Sequence, residues 1–502
     1  MSLLAVDIGS STCKAVVFAT SGEILAQHSE SYVAEFPRAS FAEMDPEKFW
    51  NAVCCSSRAV VKDLKDPVQA LGLSSHGETF VAVDSQGKPV NKAILNQDNR
   101  AIQESMWCDE VIGRQSLFQI TGLFAHPMYP IPKILWLHRN EPGISTDTKS
   151  YVTLIGYLLL KMGLSPYVDY SLASRFMAFD IRKREWSEEI LSAVDLKRDC
   201  LPIPVPAGTI AGTLNAEIAN QLSLPPETPV VLGGHDQPCG ALGSGVIGGG
   251  RVADSIGTYE CLLAASDAPS LNEKALAASL NTYCHVVPNK FVTLAYFPSG
   301  IMVKWFHDLL YTNGSGEGGS GAVAGNDEKN HYAYLEASAP EGPTGLCITP
   351  HLIGTCNPEF NPRARGLIAG LGPGTDRTQI YKGILEGLAC ELSIVAKVLA
   401  EAVGDFEDIY VTGGGTRSAL GLQLRAAFTG CRLHLMSRQE AVCLGTAILA
   451  GVAVGEYASI GQAVATLVDE SAVLTPNDEI RAGYSDQIKH YKELRSIVVE
   501  RA

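Results

Sequence analysis

The 502-residue chain carries 39 Lys and Arg against 54 Asp and Glu, a net charge of −15, with 46% hydrophobic and 19% charged residues. That length implies roughly two to four domains with full cores, and the acidic balance argues against nucleic acid as a bulk partner, which needs a positive face. The 13 cysteines form no Cys-x-x-Cys pair, which fits reduced thiols in a cytoplasm rather than a disulfide framework or a zinc site. The N-terminus starts a strand that contains Asp7, so it does not read as a secretion signal. No apolar run approaches ~20 residues, so no membrane span is expected.

In chain order, Leu3-Leu4-Ala5-Val6 predicts a strand, followed by Asp7-Ile8-Gly9-Ser10-Ser11-Thr12-Cys13-Lys14 and a second strand, Ala15-Val16-Val17-Phe18. Ser21-Gly22 closes a hairpin onto Glu23-Ile24-Leu25-Ala26. Asp45-Pro46-Glu47 predicts a helix start, with Asp as N-cap and Pro at the first helical position. Two further short strands, Ala70–Leu73 and Ile94-Leu95, deliver polar residues at their ends: Ser74-Ser75-His76-Gly77-Glu78 and Asn96-Gln97-Asp98-Asn99-Arg100.

Near the midpoint, Val230-Val231-Leu232-Gly233-Gly234-His235-Asp236-Gln237-Pro238 reads as a buried strand that turns on two glycines and places an acid before a helix over 238–242. The plain reading of Asp236 is a helix cap. A strand end of this kind is also where α/β folds bind ligands. Ser255-Ile256-Gly257-Thr258-Tyr259 echoes Asp7–Ser11, which suggests a duplicated architecture with one ligand between its halves. Residues 312–327 are rich in Gly, Ser and Asn and predict a surface loop. Ile380, Ile384, Leu388, Leu392, Val395 and Leu399 share one helix face. The strand Ile409–Thr412 ends in Gly413-Gly414-Gly415-Thr416-Arg417-Ser418, and a helix runs through Leu420, Leu424 and Phe428. Ala441–Ala450 is the last clear helix before a polar tail expected to be helical again.

Glycine beside hydroxyl residues at a strand tip bares backbone N–H groups to one point, a nest suited to phosphate oxygens. Gly9 to Thr12 and Gly257-Thr258 are such candidates, with Lys14 able to add positive charge. Asp7 would repel phosphate unless Mg²⁺ lay between them. Gly413 to Gly415 would allow close approach to a flat ligand such as a purine. Each has a plainer reading as a tight turn. No G-x-x-x-x-G-K-[ST] occurs, and the G-x-G-x-x-G at Gly243 to Gly248 does not follow an apolar strand.

Together these residues resemble the FGGY carbohydrate kinases, across nearly the whole chain. Met128 to Asn140 fits the family's first sequence pattern. Gly366 to Glu386 fits the second, with Gly383 where Ala or Ser is usual, and Val168 to Ser174 also looks like the family. The resemblance implies an α/β fold of two actin-like (ribonuclease H-like) ATPase domains with a cleft between them. Residues 1–246 would carry sugar and phosphate binding and the catalytic base; residues 247–502 would carry adenosine and phosphate binding. It implies ATP and Mg²⁺ as cofactors, a small sugar as partner, no nucleic acid and no membrane, with a homodimer left open. Asp236 would be the general base and, with Asp7, would face the metal. Gly9, Ser10, Ser11, Thr12, Lys14, Gly257 and Thr258 would bind phosphates, and Gly413, Gly414, Gly415 and Ser418 adenosine. His76, Gly77, Glu78, Asp98 and Asp236 would bind the sugar.

Ser75-His76-Gly77 looks like the Met-His-Gly of xylulokinases, whereas Glu78-Thr79 is reminiscent of the Arg-Glu-Thr of glycerol kinases. Asn96 stands where the family usually has Trp, and Thr355-Cys356 where Glu-Arg often stands. The expected acceptor is D-xylulose, with ribulose, fuculose, glycerol, erythritol and gluconate as alternatives. A regulator of the Hsp70/actin type that hydrolyses ATP without a sugar is the rival of a different class.

Overall fold

Residues 2–311 and 325–500 are described by the computed structural model. Ser2–Ile8 (β1) is apolar on both faces, and it is accordingly an inner strand of a six-stranded sheet. It forms a hairpin with Thr12–Ala19 (β2), which pairs in turn with Ile24–Ser31 (β3), all antiparallel. On its other side β1 runs parallel to Val68–Ser75 (β4). The sheet is completed by Ile210–Thr213 (β5) and Pro229–His235 (β6), giving the order β5-β6-β4-β1-β2-β3. Pro46–Val61 (α1) covers β2 and β3 with Phe49, Trp50, Val53 and Val60. Its start is fixed as expected: Asp45 accepts from the Glu47 amide at 3.0 Å, and Pro46 occupies the first turn. Pro130–Asn140 (α2) and the short Tyr170–Ser174 (α3) follow, before Asp236–Gly243 (α4) leaves the end of β6.

The second sheet repeats the first. Arg251–Ile256 (β7) and Tyr259–Ser266 (β8) form a hairpin, and Asn281–Cys284 (β9) and Phe291–Pro298 (β10) extend it. Asp408–Thr412 (β11) and Arg432–Met436 (β12) add in parallel, and Glu470–Leu474 (β13) closes the edge. The echo between residues 7–11 and 255–259 is thus a matched pair of hairpin tips: Gly9 N donates to Thr12 O and Gly257 N to Tyr259 O, each at 2.9 Å. β13 falls in the tail expected to be helical. It is an exposed edge strand held by backbone pairing with β12, so it has no buried face to give its sequence an alternating pattern. The 312–327 loop expectation lies mostly outside the described residues; a helix begins at Gly325.

The predicted long helix is Arg377–Val403 (α5), started by a capping box between Asp376 and Gln379. Ala419–Thr429 (α6), Ala441–Ala453 (α7) and Ser485–Glu500 (α8) complete the frame. Glu391 of α5 ties α8 down. It lies 3.0 Å from His351 Nε2 and accepts from Tyr491 Oη at 2.7 Å and Arg495 Nε at 2.8 Å. Burial pushes its carboxyl up, but Arg495 and the bonds from His351 and Tyr491 outweigh burial and hold it at about 2. A carboxyl depressed on folding stabilises above its unfolded value, here 4.5, and loses that contribution as pH falls toward 2. Glu391→Gln should therefore lower stability by about 3 kcal/mol at pH 7 and flatten the melting temperature between pH 4.5 and 2. Thermal melts across that range check it.

Although it lies late in the chain, α7 packs on β1, β4 and β6 of the first sheet and crosses α4 at backbone distance. A Cβ on Gly445 would stand 1.9 Å from Cys239 O, and one on Gly243 1.9 Å from Ala441 O. Gly445→Ala must force the two helices apart. We expect a loss of about 3 kcal/mol by thermal denaturation and a fall in any activity that needs the first residue of α4.

Candidate active site

The first residue of α4 is Asp236. The helix begins two residues earlier than the sequence suggests: His235 occupies the cap position, and Pro238 sits inside the first turn. The turn that delivers Asp236 is built by residues upstream. Gly234 adopts φ +138°, and a Cβ on it would meet Ser171 Oγ at 2.7 Å and Asp169 Oδ2 at 2.8 Å. Asp169 Oδ2 accepts from Ser171 N and Oγ, and Ser171 Oγ accepts from His235 N at 2.9 Å. The Val168–Ser174 segment therefore braces the strand end that carries Asp236. Asp236 Oδ1 accepts from Gln237 N at 2.7 Å and lies 3.2 Å from His235 Nε2.

Asp7, at the end of β1, faces the same space. It stands opposite Ser74 of β4 and Lys14 of β2 in register, and accepts from Ser74 Oγ at 3.0 Å. Lys14 Nζ donates to Glu440 Oε2 at 2.6 Å, just before α7. Asp7, Lys14, Asp236 and Glu440 line a cavity of about 140 Å³ whose other wall is Ser255, Cys261, Thr412 and Gly413 from the second half. Burial pushes Asp7 up to about 6, against the Ser74 bond and the Lys14 charge. Burial, then the negative charges of Asp7 and Glu78, push Asp236 well above the usual carboxylate range. Two acids share one pocket without enough positive charge to balance them.

Around this cavity the structure places the other candidates in distinct ways. Gly9, Ser10, Ser11 and Thr12 form the β1–β2 tip, with Ser10 and Ser11 exposed. Gly257 and Thr258 form the exposed β7–β8 tip, fixed by Gly300 N to Gly257 O at 3.0 Å and Ser299 N to Thr258 O at 3.1 Å. Gly413, at φ +92°, and Gly415 are packed onto this second hairpin. Cβ atoms there would stand 2.6 Å from Ile256 O and 2.1 Å from Ile256 Cγ2. Gly414 to Arg417 make a 3₁₀ turn, and Ser418 caps α6 through Gly421 N. Of the expected nucleotide residues, only Lys14 and Gly413 line the cavity itself.

The expected sugar residues divide. His76 has both ring nitrogens engaged within the protein, Nδ1 with Ile8 O at 2.9 Å and Nε2 with Thr79 Oγ1 at 2.7 Å. Neither nitrogen is free for a sugar hydroxyl in this arrangement. Asp98 is fully buried and accepts from Ala42 N and from Arg100 through both Nε and Nη2, so its carboxylate braces the loop at Asn96 to Arg100. Glu78 differs: it adopts φ +63° and points at Arg175, whose Nε it meets at 2.5 Å. Burial pushes its carboxyl up, but Arg175 outweighs burial and draws it down. Gly77 is pressed against His235 and Arg175. Sequence reasoning missed Arg175, Tyr283, Gln237 and Cys261. Arg175 directly follows the family-like stretch ending at Ser174, and no local spacing links it to Glu78, 97 residues away.

Known proteins resemble the chain over nearly its whole length. Residues 2–243 match the model for the FGGY family of carbohydrate kinases, N-terminal domain, and residues 252–454 the model for its C-terminal domain. A gluconokinase from Bacillus subtilis (strain 168) is 28% identical over 501 residues, spanning 99% of this chain and 94% of the relative. A xylulose kinase from Escherichia coli (strain K12) is 27% identical over 499 residues, spanning 98% of each. The solved structure of a ligand-bound xylulose kinase from Lactobacillus acidophilus superposes with a TM-score of 0.88 at 22% identity, covering 99% of this chain and 98% of that one. At that identity it speaks for the fold.

Proposed function

The chain belongs to the FGGY family of carbohydrate kinases, sugar phosphotransferases that use ATP, and on that premise we propose that it phosphorylates a small ketose, D-xylulose first, with Asp236 as general base. The observation that carries this reading is the placement of Asp236 and Asp7 in one cavity walled by the second half. A carboxylate raised by burial is a better proton acceptor than an exposed one, and it stands at a helix start braced by Asp169, Ser171 and His235.

In this reading Asp236 takes the acceptor hydroxyl's proton as the hydroxyl oxygen bonds to the γ-phosphorus. The bond from that phosphorus to the bridging oxygen breaks, and ADP leaves with the electron pair. The two hairpin tips, Gly9 to Thr12 and Gly257-Thr258, approach the phosphates from opposite halves, and Gly413 to Gly415 give close access for adenosine. The two cavity acids suit a hard divalent cation. Among the described residues no group of three or more His, Cys, Asp or Glu could hold an ion alone. Asp7 and Asp236 are the residues that would hold Mg²⁺, which when bound would spread the phosphate's charge. No helix among the described residues is long and apolar enough to cross a membrane.

The gluconokinase relative supports a second reading, in which gluconate is the acceptor. A coupled ADP assay over pentuloses, hexuloses, glycerol, erythritol and gluconate separates the readings. The kinase reading predicts ADP release that depends on one acceptor class and matches sugar phosphate formed one for one. Sugar-independent ADP release, unchanged across the panel, would support an Hsp70/actin-type ATPase instead.

A further inference from the structure

Buried polar atoms without hydrogen-bond partners are rare, because each has given up its bonds to water. Three of them gather beside Asp236: Arg175 Nη1, Tyr283 Oη and His235 Nδ1. Their residues are 3%, 0% and 5% exposed. The Arg175 guanidinium carbon stands 4.9 Å from the Tyr283 ring centre and 5.2 Å from that of Tyr129. The His235 and Tyr283 rings meet edge-on at 5.6 Å, and His235 Nε2 lies 3.2 Å from Asp236 Oδ1. Gly77 closes one side, where a Cβ would stand 2.9 Å from His235 Nε2 and 3.3 Å from Arg175 Cγ. Tyr283 comes from β9 of the second half, the others from the first.

We infer that Arg175, Tyr283 and His235 form the end of the acceptor pocket, where they read hydroxyls of an uncharged ketose or polyol and disfavour an aldonate. This deepens the kinase reading and rests on it. A hydroxyl accepts from Arg175 or Tyr283 and also donates to His235 Nδ1, the ring's acceptor when its proton sits on Nε2 facing Asp236; a carboxylate can only accept. The charge balance points the same way. The positive charge of Arg175 is already matched by Glu78 at 2.5 Å, and Asp236 adds a further acid. Burial holds His126, whose ring centre lies 6.4 Å from that of Tyr129, near 4, so that ring is neutral. Lys133 is pushed down to about 7 by burial and donates to Leu95 O at 2.6 Å. An aldonate carboxylate would face Glu78 and Asp236, while the guanidinium beside them is already matched by Glu78, a repulsive element that sets specificity.

The test is steady-state kinetics of the full chain with D-xylulose, D-ribulose, glycerol and gluconate, alongside Tyr283→Phe and Glu78→Gln. Wild-type kcat/KM should favour an uncharged acceptor over gluconate by about 100-fold. Tyr283→Phe removes only an unpartnered hydroxyl, so its melting temperature should match wild type. Its acceptor KM should rise by about 10-fold with the ATP KM unmoved, a split that a merely structural residue would not produce. Glu78→Gln leaves Arg175 unmatched and should shift the gluconate-to-ketose ratio toward gluconate by about 10-fold. Efficient gluconate turnover by the wild type, or an unchanged acceptor KM in Tyr283→Phe, overturns the pocket. ADP release indifferent to every acceptor overturns the kinase reading and this pocket with it.

Discussion

Asp236→Asn should lower sugar phosphorylation by about 10³-fold while ATP still binds with near wild-type affinity. The substitution keeps the side chain's shape and the bond from Gln237 N, and removes only the basic oxygen. It also removes a buried acid that Asp7 and Glu78 disfavour, so the melting temperature should hold or rise. That combination, lost turnover in a protein at least as stable, separates a catalytic role from a structural one. Single-turnover measurement of sugar phosphate, with ATP titrated by calorimetry, reads both. Retained transfer with lost ATP binding would assign Asp236 to the nucleotide instead.

The second large effect is expected on stability, in the core of the second half. Arg425 of α6 lies buried against Glu260 of β8, with Nε and Nη2 on its two oxygens at 2.9 and 2.7 Å. Asp254 of β7 is also buried, and neither of its oxygens has a hydrogen-bond partner. Burial, then the charge of Glu260, raises Asp254 well above the carboxylate range, while Arg425 opposes the rise. Arg425→Ala leaves two acids in the core with no cation, and should cost about 3–5 kcal/mol. A carboxyl raised on folding contributes its stability at low pH and loses it as pH climbs through its folded value. The variant's deficit should therefore be larger at pH 8 than at pH 5, by thermal or urea denaturation. Adding Glu260→Gln should recover part of it, since a neutral amide needs no cation.

Much of the frame was legible because local chemistry forces it. The Asp45-Pro46 start, the apolar run of β1 and the long face of α5 each have one stable solution, and the structure adopts them. The echo between the two hairpin tips was readable for the same reason, since a Gly in a tight turn leaves a sequence mark. β13 was not readable, because an exposed edge strand is specified by its neighbour's backbone.

The site divides along the same line. Asp7 and Asp236 stand at strand ends, where local pattern predicts exposure to a ligand, and the cavity gathers both. His76 and Asp98 stand at strand ends too, yet their partners, Ile8, Thr79, Ala42 and Arg100, engage them from within the protein. Whether a polar residue at a strand end is free or engaged depends on long-range packing. Arg175 and Tyr283 are the converse case. No local spacing links them to each other or to Glu78, and it is the fold that brings Glu78, His235 and Tyr129 around them.

The most direct test of the central claim is ADP release by the wild type and Asp236→Asn, measured with and without D-xylulose and the other uncharged acceptors. One of these acceptors should stimulate ADP release in the wild type, with one sugar phosphate formed per ADP, and Asp236→Asn should abolish the stimulated part. ADP release that no acceptor alters, and that persists in Asp236→Asn, would contradict that claim.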